Sequence, residues 1–361
     1  MVIVVGTALA FDFTNGFHDT ANVVASAIST RALAPKPAVA LAALFNFIGA
    51  FISLKVAATV AQGFVETGAV TPTVVFAGLI GAIAWNLITW YFGLPSSSSH
   101  ALIGGLVGSV LASAGASSVD WQGLVDKLIV PAVVAPLIAF AVAGVSIVCV
   151  YRIVGRLRPG PVGRGFRLGQ LASSGLLALS HGTNDAQKTM GLITLALVAN
   201  GDIAASNFHV PEWVVIAAAS AIALGTFVGG WRIIRTLGTR IIKMDAAQGF
   251  AAQGTGAAVI LAASSAGFPL STTHVISGSI AGTGAAKRLS AVRWGVAGNI
   301  VRAWVLTLPA AGLIGAAIYE LADLPGGTAT GPVVITVVLI AAMAGLFARR
   351  QRQATPAPVT P

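Results

Sequence analysis

Long apolar runs separated by short polar connections dominate the chain. Continuous apolar stretches fall at about residues 2 to 29, 38 to 61, 73 to 93, 128 to 151, 168 to 199, 212 to 231, 249 to 267, 303 to 319 and 332 to 348. Coiled at 1.5 Å per residue, runs of this length approach the ~30 Å thickness of a bilayer's hydrocarbon core. They predict nine full spans. Two further segments, about 95 to 117 and 269 to 286, are rich in Ser, Thr and Gly, and each opens on a proline close to a run of hydroxyl residues. These predict broken or re-entrant hairpin elements, because irregular backbone survives at membrane depth only where protein or a wet cavity satisfies it. The expected fold class is an all-α polytopic membrane protein. The first run lacks a basic flank and leads straight into Asn15, His18, Asp19 and Asn22, so it reads as a retained span and not as a cleaved signal.

Composition excludes a soluble reading. Only 9% of the 361 residues are charged and 56% are hydrophobic, whereas soluble domains carry about 25% charged residues. The lone Cys149 excludes an intramolecular disulfide and any cysteine-based metal or redox site. A net charge of +10 does not imply nucleic acid, since the basic residues sit in connections: Arg31 with Lys36, then 152–167, 232–243, 287–293 and 349–352. The positive-inside rule places all five clusters in the cytoplasm. Glu66, Asp120 with Asp126, Asp202 with Glu212, and Glu320 with Asp323 then fall outside. The amino terminus is expected outside the cell membrane and the polar, disordered tail 349–361 in the cytoplasm.

The chain also resembles itself. Gly16, Phe17, His18 and Asp19 recur as Gly182, Thr183, Asn184 and Asp185, and Pro95, Ser97, Ser98, Ser99, His100 and Gly104 recur as Pro269, Ser271, Thr272, Thr273, His274 and Gly278. Both pairs keep the same order at nearly the same offset. Two homologous halves follow, 1–151 and 168–319, joined by a basic cytoplasmic linker at 152–167 and followed by an additional span within 320–348. The charge map gives the halves opposite orientations. Inverted-topology repeats of this kind mark secondary transporters, whose substrate site lies near the bilayer midplane between the repeats.

An ionisable side chain in hydrocarbon costs at least about 2.5–3.5 kcal/mol, so Asp19 and Asp185 should face a protein interior or a wet cavity. Each has amides nearby: Asn15 and Asn22, then Asn184 and Gln187. The neighbouring glycines suggest close approach and local unwinding. The runs 96–100 and 271–274 place hydroxyls where a helix would begin, and a helix amino terminus offers free N–H groups to an oxyanion. Ordinary capping by Ser97 or Ser271 is the bland alternative. Carboxylates beside an anion favour one that keeps a proton, as phosphate does and sulfate does not, because the carboxylate can accept from the remaining O–H. His18 beside Asp19 resembles a metal-ligand pair without a third ligand at helical spacing, and Lys188 could neutralise Asp185 or meet substrate.

The stretches NGFHDTANVVASAIST from Asn15, LSHGTNDAQKTMG from Leu179, PSSSSHALIGG from Pro95 and PLSTTHVISGSIAG from Pro269 resemble the inorganic phosphate transporter (PiT) family of secondary symporters. The resemblance implies an all-helical inverted-repeat protein, often a homodimer, that takes up inorganic phosphate with a cation. It implies a substrate site formed by Asp19, Asn22, Ser97, Ser98, Ser99, Asp185, Gln187, Ser271, Thr272 and Thr273, with Asp19, Asn184 and Asp185 serving the coupling ion. Sodium-dependent members carry a glutamate in the second helix of each half where this chain offers Ala58 and Gln253. The resemblance therefore leans to H+ over Na+, and to phosphate carried as a neutral metal complex, as in bacterial relatives. Rival readings are a sulfate or other oxyanion permease, a divalent-cation transporter, and an intramembrane hydrolase. The last fails because adjacent Ser99 and His100 project about 100° apart on a helix and cannot pair as nucleophile and base.

Overall fold

The computed structural model describes residues 1–324 and 330–341. In order the helices are α1 (Val2–Ser29), α2 (Pro35–Gly49), α3 (Lys55–Gln62), α4 (Pro72–Phe92), α5 (Ser98–Ala114), α6 (Trp121–Leu124), α7 (Val130–Val154), α8 (Pro159–Ala199), α9 (Glu212–Val228), α10 (Trp231–Arg235), α11 (Ala246–Ser265), α12 (Thr272–Lys287), α13 (Trp294–Asp323) and α14 (Thr330–Ala341). Among the described residues the only strand-like pairing is an antiparallel bridge between Val65 and Val119. The tail 349–361, with its basic cluster, lies outside the described residues.

By length and apolarity alone, three described helices can cross a bilayer: Pro72–Phe92, the continuous rod Trp121–Val154, and Trp294–Asp323. A fourth comes from Glu212–Val228 with Trp231–Arg240, bent by 60°. Nine spans are not reached on this measure, and the reason is physical. Helices α1, α8 and α11 carry rows of buried polar residues that lower their hydropathy while facing protein, not lipid. The run expected at 38 to 61 is two helices with a break at residues 50–54. Helix α7 runs to Val154 and α8 begins at Pro159, so only residues 155–158 of the expected linker lie outside a helix.

Two hairpins share one construction. Thr71 caps α4 by accepting from the Val74 N–H, and α4 stops at Gly93, whose φ of +65° is one that L side chains rarely adopt. The chain then runs extended through Pro95 to Ser97, which begins α5. Helix α11 starts from a capping box in which Asp245 and Gln248 satisfy each other's backbone N–H groups. It is followed by Gly267 at φ +83° and an extended stretch through Pro269 to Ser271, which begins α12. Helices α5 and α12 have only 17 and 16 residues, about 25 Å of helix and short of the hydrocarbon thickness. Against α5 pack α13 and α4, and against α12 pack α7 and α11.

Helices α1 and α8 pack against each other, α1 also touching α4 and α9, and α8 touching α2, α3 and α11. Both remain helical through the Gly16 and Gly182 motifs, so the expected unwinding there is absent. The glycines serve close approach instead. A Cβ on Gly182 would collide with the Asn46 carbonyl of α2, and one on Gly16 with the Ile222 carbonyl of α9. Backbone cannot yield as a side-chain end can, so Gly182→Ala is expected to destabilise by about 1–3 kcal/mol or more. Thermal unfolding of the purified protein in detergent measures this, and an unchanged midpoint would contradict the packing described.

Candidate transport site

Spacing along α1 and α8 determines which side chains meet. On α1, Asp12, Asn15, His18, Asp19 and Asn22 recur at three- and four-residue steps, which keeps them along one side of the helix, and all are buried. On α8, His181, Asp185 and Lys188 do the same and are equally buried. With α1 against α8, the two carboxylates converge around His181.

The Asp19 carboxylate is held from several directions. Its Oδ1 lies 2.7 Å from His18 Nδ1 and accepts from Ser98 Oγ at 3.3 Å. The far side of the His18 ring reaches Thr89 Oγ1 at 3.2 Å and Ser96 Oγ at 3.4 Å. Asp185 Oδ1 accepts from the Lys188 ammonium at 2.5 Å and from Ser99 Oγ at 3.4 Å. His181 Nε2 stands 3.5 Å from Asp185 Oδ2 and 3.9 Å from Asp19 Oδ2. Its other nitrogen, Nδ1, is 3.1 Å from Asn46 Oδ1. Asn46 in turn donates through Nδ2 to Thr226 Oγ1 at 2.7 Å, which leaves its Oδ1 as an acceptor and assigns the ring proton to Nδ1. His181 Nε2 faces two carboxylate oxygens, and neither it nor Asp185 Oδ2 has a hydrogen-bond partner. One ligand atom from each of Asp19, His181 and Asp185 lies within 4.8 Å of the others. Two buried carboxylates on either side of one imidazole nitrogen call for a proton on that nitrogen or a cation among the three groups. His18, which the sequence paired with Asp19 as a candidate ligand, is not in this group; two of its three members come from the other central helix.

The hydroxyl runs meet the same centre. Ser97 and Ser271 are the caps of α5 and α12, accepting from His100 N at 3.1 Å and His274 N at 3.3 Å, so the bland reading of those two hydroxyls is also their observed role. The next residues turn inward. Ser98 and Ser99 contact the two acids as above, and Asn22 Nδ2 donates to Thr272 Oγ1 at 3.2 Å and Thr273 Oγ1 at 2.9 Å. Asp19, Asn22, Ser98, Ser99, Asp185, Thr272 and Thr273 are thus brought together. Gln187 and Asn184 are not. Gln187 Oε1 accepts from the Val56 and Ala57 N–H groups at the start of α3, while Asn184 donates to Ser264 Oγ and the Phe268 carbonyl.

His100 and His274 lie behind the tips, their rings 4.7 Å apart, with His274 stacked on Trp304 at 4.0 Å. Gln253 offers a neutral amide that accepts from Ser173 and donates to Ser174 and the Val23 carbonyl. Two residues of the cluster escape motif reading. Asp12 is fully buried with both carboxylate oxygens lacking a hydrogen-bond partner, and its signal is the seven-residue step to Asp19. Asn46 orients His181 from a different helix, which no local pattern reveals.

A buried acid pair, a buried lysine and two hydroxyl-bearing helix tips inside an apolar helical bundle are the features expected of a membrane transport protein. The phosphate transporter family profile matches residues 15–163 and 156–315, and the chain belongs to that family. It is 54% identical over 327 residues to a probable low-affinity inorganic phosphate transporter of Mycobacterium tuberculosis (strain ATCC 25618 / H37Rv), covering 91% of this chain and 78% of that protein. A protein of the same description from Rhizobium meliloti (strain 1021) is 53% identical over 325 residues, covering 90% and 97%. Among solved structures, one described as the sodium-dependent phosphate transporter superposes with a TM-score of 0.78 at 26% identity, covering 90% of this chain and 98% of that one.

Proposed function

We propose that this protein imports inorganic phosphate across the plasma membrane by symport with a cation, H+ in preference to Na+, through alternating access of two inverted halves. The observation that carries this reading is the convergence of His181 Nε2 with the Asp19 and Asp185 carboxylates beside four inward hydroxyls. A proton or a cation among these three groups would offset the charge of the two carboxylates, and the hydroxyls with the α5 and α12 amino termini suit a tetrahedral oxyanion. Phosphate fits better than sulfate because a protonated phosphate oxygen can donate to a carboxylate that sulfate would only meet with repulsion. A divalent metal carried with phosphate would use the same three ligand atoms. The names of the relatives support phosphate.

Two features support H+ over Na+. Where the resemblance expects glutamates this chain has Ala58 and the neutral, hydrogen-bonded Gln253, so no carboxylate is present at either position to hold sodium. The reading includes nine full spans with α5 and α12 as re-entrant tips, an external amino terminus, a cytoplasmic tail and a homodimer. On the cytoplasmic side it places a cavity of about 720 Å³ lined by Ser29, Thr30, Arg31, Arg167, Lys243 and Arg293, among others. Asn22, Ser26 and Thr30 step toward it at four-residue intervals on α1, and the buried Ser26 hydroxyl has no partner. That row gives an anion a polar route from the acid pair to a basic mouth.

Uptake of labelled phosphate into proteoliposomes, under separately imposed proton and sodium gradients and against excess sulfate, tests the reading. An inward proton gradient should drive uptake, sodium should not, and sulfate should not compete. Equal transport of sulfate overturns the substrate, and dependence on sodium overturns the coupling.

A further inference from the structure

Lys188 is 1% exposed, and its ammonium touches oxygen alone: Asp185 Oδ1 at 2.5 Å, Ser99 Oγ at 2.5 Å and the Leu270 carbonyl at 2.8 Å. The three oxygens come from α8, from the tip of α5, and from the residue just before the α12 cap. The nitrogen therefore sits where both hairpin tips meet an acid. One carboxylate, one hydroxyl and one backbone carbonyl make a hard donor set of the kind that binds bare cations by replacing their hydration oxygens. An ammonium carries the same single charge as an alkali ion and spends one N–H on each oxygen.

The corresponding place beside the other acid is filled differently. Three residues past Asp19 stands Asn22, a neutral amide that donates to Thr272 and Thr273. Three residues past Asp185 stands Lys188. Each side chain reaches from a central helix to a hydroxyl-bearing tip, one bringing a charge and the other none.

We propose that Asp185 Oδ1, Ser99 Oγ and the Leu270 carbonyl form a monovalent-cation site that this chain fills with its own Lys188 ammonium. The tethered charge neutralises Asp185 and holds the two tips against it at every stage, so no free alkali ion is needed there. Lys188 thus sets the choice of coupling ion. The consequence for coupling rests on the transport reading. The site itself does not.

Lys188→Asn removes the ammonium and restores the shorter amide found at Asn22, leaving the three oxygens open. In nanodiscs without phosphate, wild-type protein should bind no 22Na+ above background, whereas Lys188→Asn should bind one ion per chain saturably and unfold at a higher temperature in sodium chloride than in choline chloride. Adding Asp185→Asn should abolish both effects. In proteoliposomes, phosphate uptake by Lys188→Asn should fall at least tenfold in choline and recover at least fivefold in sodium. A purely structural lysine would give the loss without the sodium-specific recovery. Should Lys188→Asn fail to assemble, Lys188→Gln, closer in volume, is measured in the same way. Absence of sodium binding in the variant that assembles overturns the proposal, as does sodium binding by the wild type. Because 22Na+ binding is read without phosphate, a chain that carries another oxyanion would fail the uptake test above and still pass this one.

Discussion

Asp19→Asn is expected to lower the initial rate of phosphate uptake about 100-fold while leaving the protein folded. Asparagine matches the carboxylate in shape, so the contact of α1 with α8 is kept. What is lost is the negative charge that accepts from His18 and Ser98 and faces His181. Each charge-assisted hydrogen bond contributes about 1.5–3 kcal/mol, so losing the equivalent of one or two of them amounts to a factor of roughly 10 to more than 100. The amide also cannot take up and release a proton, which removes coupling as well as binding. Ser98→Ala removes only one of these donors, the longer one at 3.3 Å, and should cost about tenfold. Uptake by reconstituted Asp19→Asn within threefold of wild type would show that the acid pair is not the transport site.

The two hydroxyl runs and the two acids were legible because each motif lies within one helix turn, where spacing alone identifies neighbours. The limits were just as local. Successive helical residues turn by about 100°, so His181, Asp185 and Lys188 share a face, whereas Asn184 and Gln187, adjacent in sequence, point to α11 and α3. A run of polar letters in an apolar helix announces a site without saying which letters enter it. Asp12 was legible in principle, two turns before Asp19 on the same face, but it repeats no motif in the second half. The metal-type triad was not legible, because its members belong to α1 and α8 and are oriented by Asn46 of α2. The break at 50–54 was hidden by apolar residues on both sides, and hydropathy reads through such breaks. Gly93 and Gly267, each two residues before a motif proline, did carry the hairpin turns in plain sight.

The buried ion pair on α8 leads to a result that separates stability from transport. Asp185→Asn leaves the Lys188 ammonium buried with only a hydroxyl and a carbonyl, and breaking a buried pair by removing one partner costs about 3–5 kcal/mol. The single variant should therefore unfold well below the wild type and should not transport. Replacing both partners removes the orphaned charge, and methionine fills much of the lysine's volume without one. Asp185→Asn/Lys188→Met should recover most of the lost stability, since apolar replacement of a buried pair is often neutral or better, while uptake stays at background because one of the two carboxylates has lost its charge. Unfolding of wild type, both single variants and the double variant gives the coupling directly. A double variant no more stable than Asp185→Asn would mean that the Lys188 charge is satisfied elsewhere, and a double variant that transports would remove Asp185 from the site.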